Sequence, residues 1–183
     1  MKNFAFQTKT MMICDNNNES HVTTEENHFI FKVEVQESKN VIGMQILIDF
    51  ALSQQTTSKD NTIDCEHCKK CHSATKIEKI QDLKNNTNLI IQIKRFDFNI
   101  YTLTRKKINT PIDISSSVVI YTVWGGYTVF NPKSSLNHIG NTAESGHYNT
   151  TVTFDDQLWI CDDIRIDKQI KLDGRYAYNV LYE

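Results

Sequence analysis

The sequence predicts an α+β domain in which antiparallel β-strands predominate and helix is scarce. Most apolar-rich segments are short and have the alternation or β-branched composition of strands, whereas one segment has helical spacing. The chain also has two prolines, six glycines and no internal repeat. Nothing in the composition therefore divides the 183 residues into independent domains.

The first predicted elements are a strand and a short helix. Residues 29–35 (FIFKVEV) alternate apolar and polar side chains, as a half-buried strand does. Residues 44–52 have the apolar spacing of an amphipathic helix, at Met44, Leu47, Ile48 and Ala51.

The remaining predicted elements are all strands. Residues 89–98 (LIIQIKRFDF) are apolar enough for a central strand, and Lys94 and Arg95 near its outer end would extend their charges to the surface beside Phe96. Further strands are predicted at residues 118–123, 127–130, 147–154, 157–161 and 176–182. Strands at these intervals with little helix favour an antiparallel sheet that carries a two-stranded extension.

Charge and composition exclude several classes of protein. The net charge of −2 gives no basic footprint for nucleic acid or for an anionic membrane. No apolar run approaches the roughly 20 residues that span a bilayer, and the N-terminus lacks the apolar core of a signal peptide. We therefore expect a cytoplasmic or nuclear protein, in which the five cysteines are metal ligands or surface thiols rather than disulfides.

The cysteines suggest a zinc site. Cys65 and Cys68 have the spacing of a knuckle that presents two thiolates to one metal, and tetrahedral Zn²⁺ takes four such ligands. Cys14 could come from a facing knuckle, although Asn17 stands where its partner would be. The fourth ligand could be supplied by Cys71, His67 or His72. The alternative is a degenerated site held together by ordinary packing.

A second constellation joins a histidine to two carboxylates. His147 follows Gly146, whose lack of a side chain permits close approach of another backbone. If His147 begins one strand and residues 159–161 end its neighbour, a hairpin returns Asp162 or Asp163 to the imidazole. A carboxylate there would fix the tautomer and stabilise the imidazolium. The alternative is a structural histidine and a solvated acidic turn.

These segments belong to a pattern that runs through nearly the whole chain. In order it contains Ile13-Cys14, Glu26-x-x-Phe29, Cys65-x-x-Cys68, residues 89–96 (LIIQIKRF), residues 107–113 (KINTPID), Asn137-His138-x-Gly140, residues 144–148 (ESGHY), Trp159, residues 161–163 (CDD) and Ala177-Tyr178-x-x-x-Tyr182. This pattern resembles the C-terminal part of the ubiquitin-specific protease catalytic domain. The resemblance implies a papain-like cysteine proteinase fold, with the fingers region at about residues 10–80 and an antiparallel palm at 85–183.

The resemblance also implies roles for single residues. His147 matches the general base. Its orienting carboxylate matches Asp162, which we prefer from its spacing to Ile166, whereas counting from Trp159 favours Asp163. Gly146 and Tyr148 would line the channel for the C-terminal Gly-Gly of ubiquitin. Catalysis needs no cofactor. Cys14, Cys65 and Cys68 match three of the family's four zinc positions in the fingers, Asn17 stands at the fourth, and Cys71 is the candidate to complete a structural zinc site.

The family's nucleophile is the element that these residues do not match. It lies in a Gly-Asn-Thr-Cys box that precedes a helical thumb, and no cysteine here occupies that position. We expect the chain alone to be inactive toward ubiquitin conjugates, which leaves two alternatives. It is the palm-and-fingers part of a thiol-dependent deubiquitinase whose thumb lies in another segment, or an inactive module that binds ubiquitin or ubiquitinated proteins.

Overall fold

The computed structural model describes residues 4–14, 20–53, 55–56, 63–64, 71–72, 74–83 and 87–183. The first half contains β1 (Phe6–Cys14), β2 (Ser20–His28), β3 (Phe31–Glu34), β4 (Ile42–Gly43), α1 (Met44–Ala51), β5 (Gln55–Thr56), β6 (Ile63–Asp64), β7 (Cys71–His72) and β8 (Ala74–Asp82). The second half contains β9 (Leu89–Lys94), β10 (Phe96–Asn99), β11 (Thr104–Lys107), β12 (Ile112–Asp113), β13 (Val118–Tyr121), β14 (Tyr127–Phe130), β15 (Pro132–Ile139), β16 (His147–Phe154), β17 (Gln157–Asp162), β18 (Arg165–Gln169) and β19 (Ala177–Tyr182).

A seven-stranded sheet forms the body of the domain. Its strand order is β18-β17-β16-β15-β19-β9-β3, and every neighbouring pair is antiparallel except β3 and β9. The sequence predicted β3, β16, β17 and β19 within two residues at each end, and it predicted the start of β9, which ends at Lys94 rather than at Phe98. It missed β15, which lies at the centre of the sheet. The predicted α+β class is confirmed.

The hydrophobic core lies between this sheet and the short helix. In α1 the buried side chains are Met44, Leu47 and Ile48, and the helix packs on β3. They share one cluster with Ile91 and Val180 of the sheet. The predicted helical spacing is therefore the face that the domain buries. No helix in the described part of the chain is both long and apolar enough to cross a membrane.

A second sheet extends from this body. It has four strands in the order β2-β1-β8-β5, so it is wider than the two-stranded extension that the sequence predicts. Its long strands are rich in threonine and charge, as in TKTMM and VTTEEN, and they have no strict apolar alternation to identify them. Phe6 and Ile80 of this sheet belong to the same core cluster as the body.

Arg95 corrects the prediction of one continuous strand at residues 89–98. The strand is interrupted there, and the side chain is 0% exposed rather than extended to the surface. Its guanidinium donates to four carbonyl oxygens, those of Ala177 (2.6 Å), Gly174 (2.7 Å), Thr110 (2.8 Å) and Ile108 (3.1 Å). Burial lowers the pKa of Arg95 to about 10. The surface interpretation holds for Lys94 alone, which is exposed and contacts Oε1 of Glu34 at 2.9 Å.

Candidate active site

A tight hairpin brings the histidine and the acidic pair together. β16 and β17 are joined by a two-residue turn, Asp155-Asp156, in which both residues have positive φ (47° and 56°). Two positive φ angles are the signature of the type I′ turn, whose twist matches that of the flanking strands. The turn fixes the register that pairs Thr150 with Cys161. Asp162 therefore ends β17 beside the start of β16, where His147 lies.

His147 and Asp162 form a hydrogen-bonded ion pair. Nε2 of the imidazole contacts Oδ1 of the carboxylate, and the two side chains are 47% and 41% exposed. The pKa of His147 is raised, first by this hydrogen bond and then by the charge of Asp162, while desolvation opposes the rise and the charge of Asp163 adds to it. One imidazole nitrogen is thus engaged, and the described residues show no hydrogen bond to the other.

The geometry separates the two carboxylates that the sequence left as alternatives. Asp162 is the last residue of β17 and bonds directly to the imidazole. Asp163 lies in the following turn with φ at 51°, and its side chain is exposed. Ligand atoms of all three groups still lie within 4.8 Å of one another. Asp162 is therefore the hydrogen-bond partner, and Asp163 acts on His147 through its charge.

Gly146 lies against both a side chain and a neighbouring backbone, so the expected close approach of another backbone is present. A Cβ on Gly146 would lie 2.2 Å from Nε2 of His138 and 2.8 Å from the carbonyl oxygen of Ile139. Gly140 begins the same loop with φ at +152°, and its Cβ would lie 2.8 Å from the carbonyl oxygen of Ser145. The loop at residues 140–146 is consequently folded closely against the end of β15.

Tyr148 follows His147 on β16 and packs against His138. Its side chain is half exposed, and its ring lies 4.8 Å from that of His138 between centroids. His138 is 2% exposed and packs edge-on against Phe96 at 5.3 Å. Burial lowers the pKa of His138, and the charge of Lys107 lowers it further. His138 is therefore a neutral, packed imidazole, unlike the exposed and basic His147.

Lys107 contacts the segment that leads to His147, although no chemical argument from sequence selected it. Its side chain is 4% exposed, and Nζ donates to the carbonyl oxygens of His138 (2.6 Å) and Gly140 (2.7 Å). The only signal in the sequence was its place in the KINTPID segment of the resemblance. The sequence does not show whether a lysine is buried or exposed, because that depends on tertiary packing.

The cysteines fall outside this site as far as the structure describes them. Asp162 faces His147, so the preceding Cys161 projects from the opposite face of β17, because successive side chains of a strand alternate. Cys65 and Cys68 lie outside the described residues. Cys14 and Cys71 are described as strand residues only. The described residues thus supply a proton-transfer pair without a thiol beside it.

An accessible imidazole–carboxylate pair on a largely antiparallel sheet is an arrangement suited to acid–base chemistry. A model of the family "Ubiquitin carboxyl-terminal hydrolase" matches residues 1–182. The chain belongs to that family.

Two relatives share part of this sequence. Human "Ubiquitin carboxyl-terminal hydrolase 35" is 28% identical over 102 residues, which are 56% of this chain and 10% of that protein. Rat "Ubiquitin carboxyl-terminal hydrolase 48" is 34% identical over 115 residues, which are 60% of this chain and 11% of that protein. The 183 residues thus match about a tenth of the length of these relatives.

Solved structures share the fold over the whole chain. A SAGA DUB module of Ubp8, Sgf11, Sus1 and Sgf73 bound to monoubiquitin contains a chain with a TM-score of 0.83 and 18% identity, covering 99% of this chain and 40% of that one. A yeast SAGA DUB module gives a TM-score of 0.86 at 18% identity, covering 99% and 41%. At this identity the likeness shows the fold, here the papain-like α+β fold.

Proposed function

We propose that this chain carries the general base and the orienting carboxylate of a thiol-dependent ubiquitin hydrolase. The observation that supports the proposal most directly is the exposed His147–Asp162 pair, formed where β16 begins and β17 ends. The family implies a thiol from another segment, the helical thumb. In this proposal the four-stranded sheet is the fingers and the seven-stranded sheet is the palm. Its cellular location would be cytoplasmic or nuclear.

The pair is suited to the chemistry of thiol catalysis. His147 would take the proton of the thiol, and the thiolate would attack the carbonyl carbon of the last glycine of ubiquitin. His147 would then give that proton to the departing lysine amine, and water would hydrolyse the thioester. Asp162 contributes by stabilising the imidazolium between these two transfers, since it already raises the pKa of His147.

The first test is whether ubiquitin binds beside this pair. We expect NMR titration of ¹⁵N-labelled chain with ubiquitin to shift the amide signals of Gly146, His147 and Tyr148. Ubiquitin that lacks its two C-terminal glycines is the matched control, and it should leave these three signals in place. Shifts confined to other regions with both ligands would contradict the proposed channel.

The second test separates an enzyme from a binding module. We expect the chain alone to give no turnover of a ubiquitin–fluorophore conjugate, because a base without a thiol offers no covalent route. Turnover that disappears in His147→Ala would overturn this expectation. Binding at residues 146–148 without turnover supports both the palm of a larger enzyme and an inactive ubiquitin-binding module. Restored turnover on addition of a thumb segment that contains a Gly-Asn-Thr-Cys box would identify the enzyme.

A structural zinc ion is proposed for the fingers. Cys14 pairs with Ala74 across the four-stranded sheet, and Cys71 stands three residues before Ala74, so the backbone brings the two positions to the same end. With Cys65 and Cys68, they would form a four-thiolate set of the kind that tetrahedral Zn²⁺ prefers. The ion would cross-link the fingers and would take no part in proton transfer.

Zinc binding can be measured directly. We expect elemental analysis of the purified chain to find about one zinc ion per molecule, and the content to fall toward zero in Cys65→Ser and Cys68→Ser. Cys161→Ser is the matched control because this thiol lies in the palm, on β17. A zinc content that is near zero in the unsubstituted chain, or equal in all four proteins, would contradict the site.

A further inference from the structure

We propose that Lys107 is a positioning residue for the His147–Asp162 pair, acting through the backbone of the segment at residues 138–146. This segment, the His-loop, joins the end of β15 to the start of β16. The inference concerns the same site as the proposed function but not its ligand. It holds that the geometry of the base is maintained by a buried ammonium group that contacts neither His147 nor Asp162.

The contacts of Lys107 explain how it reaches this segment. Lys107 ends β11, and its partner across the hairpin is Phe96 of β10. From there Nζ crosses to β15 and donates to the carbonyl oxygens of His138 and Gly140, at 2.6 and 2.7 Å. Hydrogen bonds from a charged donor are about twice as strong as those from a neutral one. One buried cation thus fixes two carbonyls that flank a single residue.

These two carbonyls control the rest of the His-loop. The backbone turns back at Gly140, where φ is +152°, and Gly146 returns into contact with the imidazole of His138. His138 is held in turn between Phe96 and Tyr148. His147 follows Gly146 directly. The position of its Cα therefore depends on the His-loop, to which Lys107 donates two hydrogen bonds.

The charge environment favours a structural role for this cation. Lys107 faces Arg95 and the neutral His138, and no carboxylate is among its described partners. Desolvation lowers the pKa of Lys107, and the charge of Arg95 lowers it further. The ring of Tyr176 lies 5.7 Å from Nζ. A buried ammonium group needs hydrogen-bond acceptors, and here the acceptors are two carbonyl oxygens of the His-loop. The same two bonds therefore connect the His-loop to β11.

The test is the substitution Lys107→Met, read through the two histidines by NMR titration. We expect the pKa of His147 to fall toward its ordinary value of about 6.5, because a displaced His-loop weakens the bond to Asp162. Removing a nearby positive charge by itself would raise the pKa of His147, so the direction distinguishes positioning from electrostatics. The pKa of His138 should rise in the same sample, which verifies that the charge was removed.

Amide hydrogen exchange gives the second readout. Exchange at residues 140–146 should become about tenfold faster or more in Lys107→Met, with β19 unchanged. Lys106→Met is the matched control, since Lys106 is exposed and paired with Glu37 at the surface. An unchanged or raised pKa of His147, or exchange no faster than in the control, would overturn the proposal.

A variant that loses its fold would leave neither readout, so two further variants accompany it. Lys107→Gln keeps one amide donor and should give intermediate values, whereas Lys107→Arg keeps the charge and should restore most of the pKa of His147. A pKa of His147 in Lys107→Gln equal to that of the unsubstituted chain would contradict positioning by the two bonds. All of these outcomes are independent of ubiquitin, so they stand even if the ubiquitin titration fails.

Discussion

Replacing Arg95 with methionine is expected to destabilise the domain severely. The guanidinium satisfies four buried carbonyl oxygens, which come from β19 and from the segments at residues 108–110 and 174. Methionine fills similar volume but donates nothing, and each unsatisfied buried polar group costs about 1–3 kcal/mol. Allowing for relaxation, we expect a loss of about 4 kcal/mol or more in the free energy of unfolding, from a typical total of about 5–15 kcal/mol.

Urea unfolding followed by circular dichroism measures this loss. Lys94→Met is the matched control, because the neighbouring side chain is exposed and has one surface ion pair, worth about 1 kcal/mol or less. The free energy of unfolding of Arg95→Lys should lie between those of Arg95→Met and Lys94→Met. An ammonium group has three donors and lacks the planar shape of the guanidinium, so it cannot bond to all four carbonyl oxygens. A free energy of unfolding in Arg95→Met equal to that of the control would show that the carbonyl network is not important for stability.

Substituting Asp162 with asparagine is expected to change the chemistry of His147 without changing the fold. Removing the carboxylate removes the two largest causes of its raised pKa, so the pKa should fall clearly. NMR titration of the imidazole measures it. In a form of the protein supplied with its thiol, we expect turnover to fall by about 10²–10⁴, the usual contribution of a positioned acid–base group.

The same substitution predicts how stability depends on pH. A group whose pKa is raised by folding contributes stability below its ordinary pKa of about 6.5, and the contribution is lost as the pH rises through the raised value. The destabilisation by Asp162→Asn should therefore be larger near pH 5.5 than near pH 9. Asp163→Asn is the control, with a smaller fall in the pKa of His147. If the pKa of His147 fell equally in Asp162→Asn and Asp163→Asn, the hydrogen bond to Asp162 would not be the dominant cause of the raised pKa.

The local sequence was sufficient for the elements whose pattern is strong. The segment FIFKVEV alternates apolar and polar residues, which predicted β3, and MQILIDFA has one apolar face, which predicted α1. Turn residues bound YTVF and the two strands on either side of DDQ, which predicted β14 and the β16–β17 hairpin. The strand PKSSLNHI was not predicted, because its inward side chains include Ser135, Asn137 and His138. Asn137 donates across the sheet to Asn149 at 3.0 Å and accepts from Ser135, while His138 packs between the rings of Phe96 and Tyr148. Because these buried side chains are polar, the segment has no alternation of apolar and polar residues from which to predict a strand.

The candidate site divides in the same way. The sequence identified His147 and the pair Asp162-Asp163, because a two-residue turn between two alternating strands is enough to bring them together. It favoured Asp162 over Asp163 only by spacing to Ile166, and one residue of register would have moved the other side chain to the imidazole. It also gave no reason to select Lys107 or Arg95, whose partners are backbone carbonyls far away along the chain.

The sequence by itself determined the class of fold, the hairpin and the chemical groups of the candidate site. Those features follow from periodicity and turn composition, which act over a few residues. The tertiary structure alone decided which aspartate meets the imidazole, which cations are buried and how the His-loop is closed. Those outcomes depend on where distant carbonyl oxygens stand once the sheet has formed, because a buried charge can be placed only where its hydrogen-bond acceptors already converge.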